Sequence, residues 1–466
     1  MAEQTGGIKT SQKERWKMKR KPNVVFVFAD QWRQQATGYA GNPNVKTPNL
    51  DTLAQTSVNF THAVSGCPVC SPYRASLLTG QRPLTHGVFV NDVYLQPQAT
   101  SIANAFSASG YDTAYIGKWH VDGHDRSNYI PRERRLGFDY WKVLECTHNY
   151  NHSPYYAGDS DEKLYWEGYD AIAQTRDAEA YIRNLDKDQP FLLMLSWGPP
   201  HAPYGTAPEE YRQLYNADTI ALRPNVPPEL APKAREWLAG YYAHCSALDA
   251  CMGDLLNTLK VCNLSDNTIL VFTSDHGDML GSQGHMKKQR PWEESIRVPF
   301  LLRYPDLTGW QPRETDALIE APDIMPTLLG LCNVPIPDSV EGTDFSDYIT
   351  NGNALSDEAV LLTCPHPFGQ WDIRNHGGKE YRGLRTRRYT YVRDRQGPWL
   401  LYDIDIDPYQ MRNLAHDPEF SAIRNELDEA LQKKLDEQMD QFLPGRDYIE
   451  KWGYSVDENG TVPYSN

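Results

Sequence analysis

No stretch of the 466 residues approaches the roughly 18 consecutive apolar residues that cross a bilayer. No membrane span is therefore expected. Basic residues are in deficit: 46 Lys and Arg stand against 61 Asp and Glu, a net charge of −15. A field of that sign excludes general coating of nucleic acid or of an anionic membrane surface. An anionic substrate would need a local concentration of positive charge, set against the field of the whole. Cysteine is scarce, at 8 residues, and a chain of this length needs no disulfide staples. Most of the eight are expected to be reduced core residues. Internal repeats and low-complexity segments are absent. Residues 1–21, MAEQTGGIKTSQKERWKMKRK, lack the apolar run of a secretory signal. As written the chain reads as cytoplasmic; a signal removed earlier would make it periplasmic or secreted.

What is present suits a large folded core, with 40 % hydrophobic and 11 % aromatic residues. Four short apolar runs read as buried strands: VVFVF (24–28), TAYI (113–116), FLLML (191–195) and ILVF (269–272). Helical patterns lie between them, at SIANAFSAS (101–109) with Thr100 as its cap, RDAEAYIRNL (176–185) and YYAHCSALDACMGDLLNTL (241–259). This alternation predicts an α/β fold, a large mostly parallel or mixed sheet sandwiched by helices. Further on, EYRGLRTRRYTYVRD (380–394) reads as one strand and PWLLYDIDID (398–407) as its hairpin partner. SAIRNELDEALQKKLDEQMDQFL (421–443) reads as an amphipathic helix. The expected divisions are a polar tail over 1–21, a catalytic α/β domain over 22–354, and a smaller α+β subdomain with a short antiparallel sheet over 355–466.

Each of the four strands runs into reactive side chains. The first delivers Asp30 and Gln31; the second, Lys118 and His120; the third, His201; the fourth, Asp275 and His276. Ligands of open α/β sheets bind beyond the carboxyl ends of the strands. Four ends converging on two carboxylates, a lysine and three histidines therefore mark a site.

Residues 66–80, GCPVCSPYRASLLTG, place Cys67 and Cys70 three apart. A zinc site would need two further soft ligands, and no second C-x-x-C or C-x-x-H is present. A redox dithiol stays open, since its reactive cysteine also sits at a helix start. Pro72, suited to the first helical position, and Gly80, suited to the C-terminal stop, place Cys70 at a helix N-terminus that favours an anion. Arg74 lies one turn along.

CSPYR followed by ASLLTG resembles the C-x-P-x-R signature of the type I sulfatases, within the alkaline-phosphatase-like superfamily. GYDTAYIGKWH (110–120) is similar to the family's second signature. The resemblance runs in order from about residue 22 to LYDIDIDPYQMRNLA (401–415). It implies conversion of Cys70 to formylglycine by a dedicated maturation enzyme. It also implies sulfate ester hydrolysis by the resulting geminal diol. Asp30, Gln31, Asp275 and His276, with residue 70 beside them, would hold one divalent cation, Ca²⁺ first, with Mg²⁺ or Mn²⁺ as competitors. Arg74, Lys118 and Lys288 would supply positive charge, His120 would deprotonate the second hydroxyl, and His201 and Lys288 would serve the leaving oxygen. Lys287 is adjacent, but spacing from Asp275 favours Lys288. The chain departs from the family at Tyr73, usually a small residue, and in its Asp-Gln and Asp-His pairs. A phosphonate monoester or phosphodiester hydrolase on the same site, and an unmatured anion-binding protein, are the alternatives. The loops CTHNYNHSPYY (146–156) and CPHPFGQWDIRNHGG (364–378) suit a sulfated oligosaccharide. Asn91, His366, Arg374 and His376 are the candidate substrate residues.

Overall fold

A computed structural model describes residues 20–186, 188–353 and 359–464. The expected tail lies outside the described residues except for Arg20 and Lys21, and the expected boundary at 354/355 also falls outside them. Among the described residues no helix is long and apolar enough to cross a membrane.

Ten strands form one mixed sheet. From edge to edge they are Arg313–Glu320, Val58–Val64, Phe300–Arg303, Thr268–Ser274, Asn23–Asp30, Phe191–Pro200, Asp112–Lys118, Tyr140–Leu144, Pro154–Ala157 and Leu164–Tyr165. The five from Thr268–Ser274 to Tyr140–Leu144 are parallel. Phe300–Arg303 runs antiparallel to both neighbours. All four sequence-predicted strands lie side by side in this parallel block.

The strand Asn23–Asp30 is buried throughout because helices cover both faces. Val24, Phe26 and Phe28 join a core with the helices Cys70–Thr79, Ile102–Ala108 and Ala321–Leu331. Val25, Val27 and Ala29 pack the other way, against Asp170–Asn184 and Ala231–Val261. Both long helices begin earlier than their apolar periodicity suggests. The cap of Ile102–Ala108 is Ser101 rather than Thr100, its side chain accepting from the Asn104 amide. Pro72 occupies the third position of its helix rather than the first. It is tolerated there because first-turn amides have no partner inside the helix.

The C-terminal region forms a four-stranded antiparallel sheet, Ala359–Cys364, Tyr381–Thr386, Tyr389–Asp394 and Gly397–Asp403. The expected single strand over 380–394 is thus two strands, folded back at Arg387 and Arg388. The following helix stops at Glu437, short of 443. Leu427, Leu431 and Leu435 pack it on Leu384, Tyr391 and Leu401. The opposite face of the small sheet buries Val360, Leu362 and Tyr381 against Met279, Trp292 and Ile296. This docking brings C-terminal residues to the rim of the large sheet. All eight cysteines are free thiols.

Candidate active site

Register brings the strand ends together. Ala29 pairs with Ser274, so Asp30 and Asp275 leave adjacent strands side by side. Gly117 pairs with Ser196, which sets Lys118 at the same level on the far side. Gly117 has φ 102°, and a Cβ there would stand 2.1 Å from the Ser196 carbonyl oxygen. Only glycine lets the strand turn so close to its neighbour.

Cys70 is the first residue of its helix and is 1 % exposed. Its Sγ lies 2.8 Å from Lys288 Nζ, 3.3 Å from His276 Nε2 and 3.6 Å from Asp30 Oδ1. Burial and Asp30 both oppose ionisation of this thiol. Lys288, Lys118 and His276 outweigh them and hold it well below the usual thiol range. Asn91 joins the site by accepting the Ser71 amide at 3.0 Å, so one of the free helix N–H groups is satisfied there.

Asp30, Cys70, Asp275 and His276 offer ligand atoms within 4.8 Å of one another, all buried. His276 donates Nδ1–H to the Gly277 carbonyl at 2.9 Å, because a carbonyl can only accept; this aims Nε2 at the cluster, where loss of its proton would free it as a ligand. Gln31 Nε2 donates to Asp278 Oδ2 at 2.6 Å, while Gln31 Oε1 is buried without any hydrogen-bond partner. A buried acceptor with no donor fits a metal ligand. Asp278 fixes that amide orientation, and is itself held by Tyr204 Oη at 2.5 Å. Two carboxylates crowd one centre: burial and the Asp30 charge push Asp275 up to about 6. A bound cation removes that conflict. The donor set of two carboxylates, an amide oxygen and an imidazole therefore fits one divalent cation.

Arg74 is fully buried beneath the site. Its guanidinium reaches Asp30 Oδ2 and Asp275 Oδ2, both at 3.3 Å, and Ser196 Oγ at 2.7 Å. It clamps the two carboxylates from below. Lys118 Nζ lies 2.5 Å from Asp30 Oδ2. His120 Nε2 meets Asp92 Oδ1 at 3.1 Å, and Arg126 grips both oxygens of Asp92. His201 donates Nδ1–H to the Ala202 carbonyl at 2.8 Å and stacks on His148, ring centroids 4.6 Å apart. Burial, then Lys288, holds its imidazole well below its usual pKa, so it is neutral here.

These groups border a pocket of about 230 Å³, open to solvent. Cys70, Asn91, Lys118, His120, His201 and Lys288 all line it. His366, Arg374 and His376 do not. His366 is wedged beneath the chain at Gly460. Arg374 and His376 lie on the exposed helix Ile373–His376, which Asp372 caps while also pairing with His376. Phe368, Gly369 and Gln370 of the same loop face the pocket instead, as do Asp92, Arg126, His148 and Tyr464. Asp278 was within sight of the sequence, three residues beyond Asp275. Asp92, Arg126 and Tyr464 come from distant stretches and carry no shared pattern.

The Sulfatase family model matches residues 22–334. The chain belongs to the sulfatase family. A second model, that of the N-sulphoglucosamine sulphohydrolase C-terminal region, matches residues 281–438 of this sulfatase. An ulvan-active sulfatase of Formosa agariphila is 48 % identical over 448 residues, covering 95 % of this chain and 87 % of its own. An endo-4-O-sulfatase of Bacteroides thetaiotaomicron is 34 % identical over 85 % of this chain and 88 % of its own. A solved structure connected with glycosaminoglycan metabolism by that bacterium has a TM-score of 0.82 at 31 % identity, covering 96 % of this chain and all of the other. The enzyme is a sulfuric ester hydrolase, and a metal site is part of its family's equipment.

Proposed function

We propose that this sulfatase removes sulfate from a sulfated carbohydrate, with residue 70 converted from cysteine to formylglycine and with Ca²⁺ on Asp30, Gln31, Asp275 and His276. The observation that carries it is the position of Cys70 Sγ on the pocket floor, 2.8 Å from Lys288 Nζ and 3.3 Å from His276 Nε2. That sulfur stands where an oxygen of the converted residue would stand. The conversion supplies a geminal diol, an oxygen nucleophile with a second hydroxyl for release, and a bound cation polarises oxygens beside it.

The remaining work falls to this chain's own side chains. Lys118 and Lys288 keep Asp30 ionised against its burial, and Arg74 fixes it. Lys288 holds the reacting oxygen of residue 70 and offsets charge on the ester. His120, held through Nε2 by Asp92, would take the proton of the second hydroxyl on Nδ1; burial lowers its pKa, but Cys146 and Asp92 raise it well above the usual imidazole range, so it would act from its deprotonated form. His201, neutral with its Nδ1 proton tied to Ala202, presents Nε2 to the pocket as an acceptor; Lys288 is then the charged donor for the leaving oxygen. The carbohydrate reading draws support from the names of the two relatives and from a pocket wall that alternates aromatic and polar groups, at Phe368, Gln370, Thr461 and Tyr464.

A screen of sulfated mono- and oligosaccharides for released sulfate tests the proposal, with an aryl phosphonate as competitor. Sulfate release that vanishes in Cys70→Ala is expected, with an intact mass about 18 Da below the thiol form. Full activity in Cys70→Ala, or phosphonate turned over faster than every sulfate ester, would reject it.

A further inference from the structure

The pocket is bordered by three cations from one short stretch, Lys287, Lys288 and Arg290. Of the pocket's positive groups, Lys118 is matched by Asp30, Arg126 by Asp92, and Lys288 lies on residue 70. Lys287 and Arg290 are unmatched: among the described residues neither forms an ion pair with a carboxylate. Asp278 is the nearby acid that both of them feel. Its oxygens are already taken by Gln31, Tyr204 and the backbone amides of Leu280 and Lys287.

The Lys287 ammonium has no hydrogen-bond partner among the described residues and is only partly buried. Its backbone is held at φ 60°, a conformation unusual outside glycine, with its amide on Asp278 and its carbonyl on the Met279 amide. Arg290 is 4 % exposed. It spends Nη1 and Nη2 on the neutral carbonyls of Lys288 and Gln370, and its Nε has no partner. Its guanidinium stacks on Trp371 at 4.5 Å. Burial pushes it down to about 10. Burying a cation without a counter-charge is unfavourable, and an anion arriving from solvent would offset that cost. The ester sulfate, neutralised by Lys288 and the cation, does not account for two further positive groups. These lie one residue before and two after Lys288, within roughly 7 Å along the chain.

We propose that Lys287 and Arg290 form a second anion subsite. It binds an acidic group of the substrate other than the ester being cleaved, a carboxylate or a second sulfate on the neighbouring sugar. The subsite rests on the sulfatase reading of the pocket, and makes the enzyme selective for polyanionic saccharides.

The test compares kcat/KM of the metal-loaded full chain on three matched sulfated saccharides, whose neighbouring sugar is neutral, bears a carboxylate, or bears a second sulfate. In Lys287→Met the acidic-to-neutral ratio should fall about tenfold. Methyl esterification of the carboxylate should remove the same factor from the wild type and none from the variant. The arm that shows the larger fall identifies the acid. Melting curves of Lys287→Met check that the fold is kept, and Arg290→Lys should lower the same ratio. An unchanged ratio in both arms overturns the proposal. So does an equal loss on the neutral saccharide, since Lys287 would then serve the ester sulfate. If the wild type cleaves none of the saccharides, the carbohydrate reading fails. The subsite is then read on aryl sulfates with and without a ring carboxylate, where an unchanged ratio overturns it independently.

Discussion

Asp278 touches no substrate, yet it decides which end of the Gln31 amide faces the cluster. In Asp278→Asn, the retained Oδ1 still accepts the Leu280 and Lys287 amides, while Nδ2 meets Gln31 Nε2, donor against donor. Gln31 would then turn its NH₂ toward the cation. Affinity for Ca²⁺ should drop about 10- to 100-fold, which calorimetric titration of the metal-stripped enzyme would detect; an unchanged affinity would remove Gln31 from the ligand set. Asp92 acts in a similar way on His120. Burial alone would raise its carboxyl, but His120 and Arg126 hold it below the usual carboxylate range. Asp92→Asn should lower kcat about a hundredfold with little change in KM, measured by sulfate release under saturation. At this scale the sequence was readable wherever a polar residue ended an apolar run, as at Asp30, Lys118, His201 and Asp275. It was unreadable in the loop 364–378, because composition does not say which side of a loop faces inward. His366, Arg374 and His376 have the right chemistry on the wrong side, while Gly369 and Gln370 of the same loop line the pocket.

The elements that set the site are strands, and their close spacing is exacting. Gly117→Ala would place a methyl group against the Ser196 carbonyl in a backbone conformation that L-residues avoid. A loss of about 1–3 kcal/mol in stability is expected, together with a displaced Lys118 and lost turnover; denaturant unfolding and a kinetic assay check both. The two sheets are joined by a buried pair, Arg385 on Tyr381–Thr386 and Glu293 at the start of the helix Glu293–Ile296, with Arg385 Nε 2.7 Å from Glu293 Oε1. Burial would push the Glu293 carboxyl up, but Arg385 and then Arg297 draw it down to about 2. Because the folded pKa lies below the unfolded one, its stabilisation is present above the ordinary glutamate range and is lost as pH falls from there toward 2. In Arg385→Met the buried carboxylate keeps only the more distant Arg297, at 3.6 Å, and a cost of about 3 kcal/mol is expected at pH 7. The deficit should shrink on acidification, as urea unfolding at pH 7 and pH 4 would show. The split of 380–394 into two strands escaped the sequence because alternation continues straight through Arg387 and Arg388, with no glycine, proline or asparagine to mark the turn.

Taken whole, the molecule assembles one pocket from pieces more than 390 residues apart, between Cys70 and Tyr464. Tyr464 lies over the Arg126 guanidinium at 3.5 Å, and Arg126 in turn holds Asp92. Tyr464→Ala should raise KM for oligosaccharides severalfold, since a cation–π contact is worth about 1 kcal/mol; an unchanged KM would exclude that residue from substrate recognition. Such long-range convergence depends on how the small sheet docks, which no local pattern reports. The depth of residue 70 has a further consequence, one of timing. Cys70, Pro72 and Arg74 are all buried, with only the floor of a pocket walled by lysines and histidines reaching residue 70. If residue 70 is converted as proposed, a catalyst that must grip that segment would have to meet the chain before the sheet closes. A polypeptide that folded first would then keep its thiol, and intact mass of protein made at different rates of synthesis would show the unconverted fraction rise.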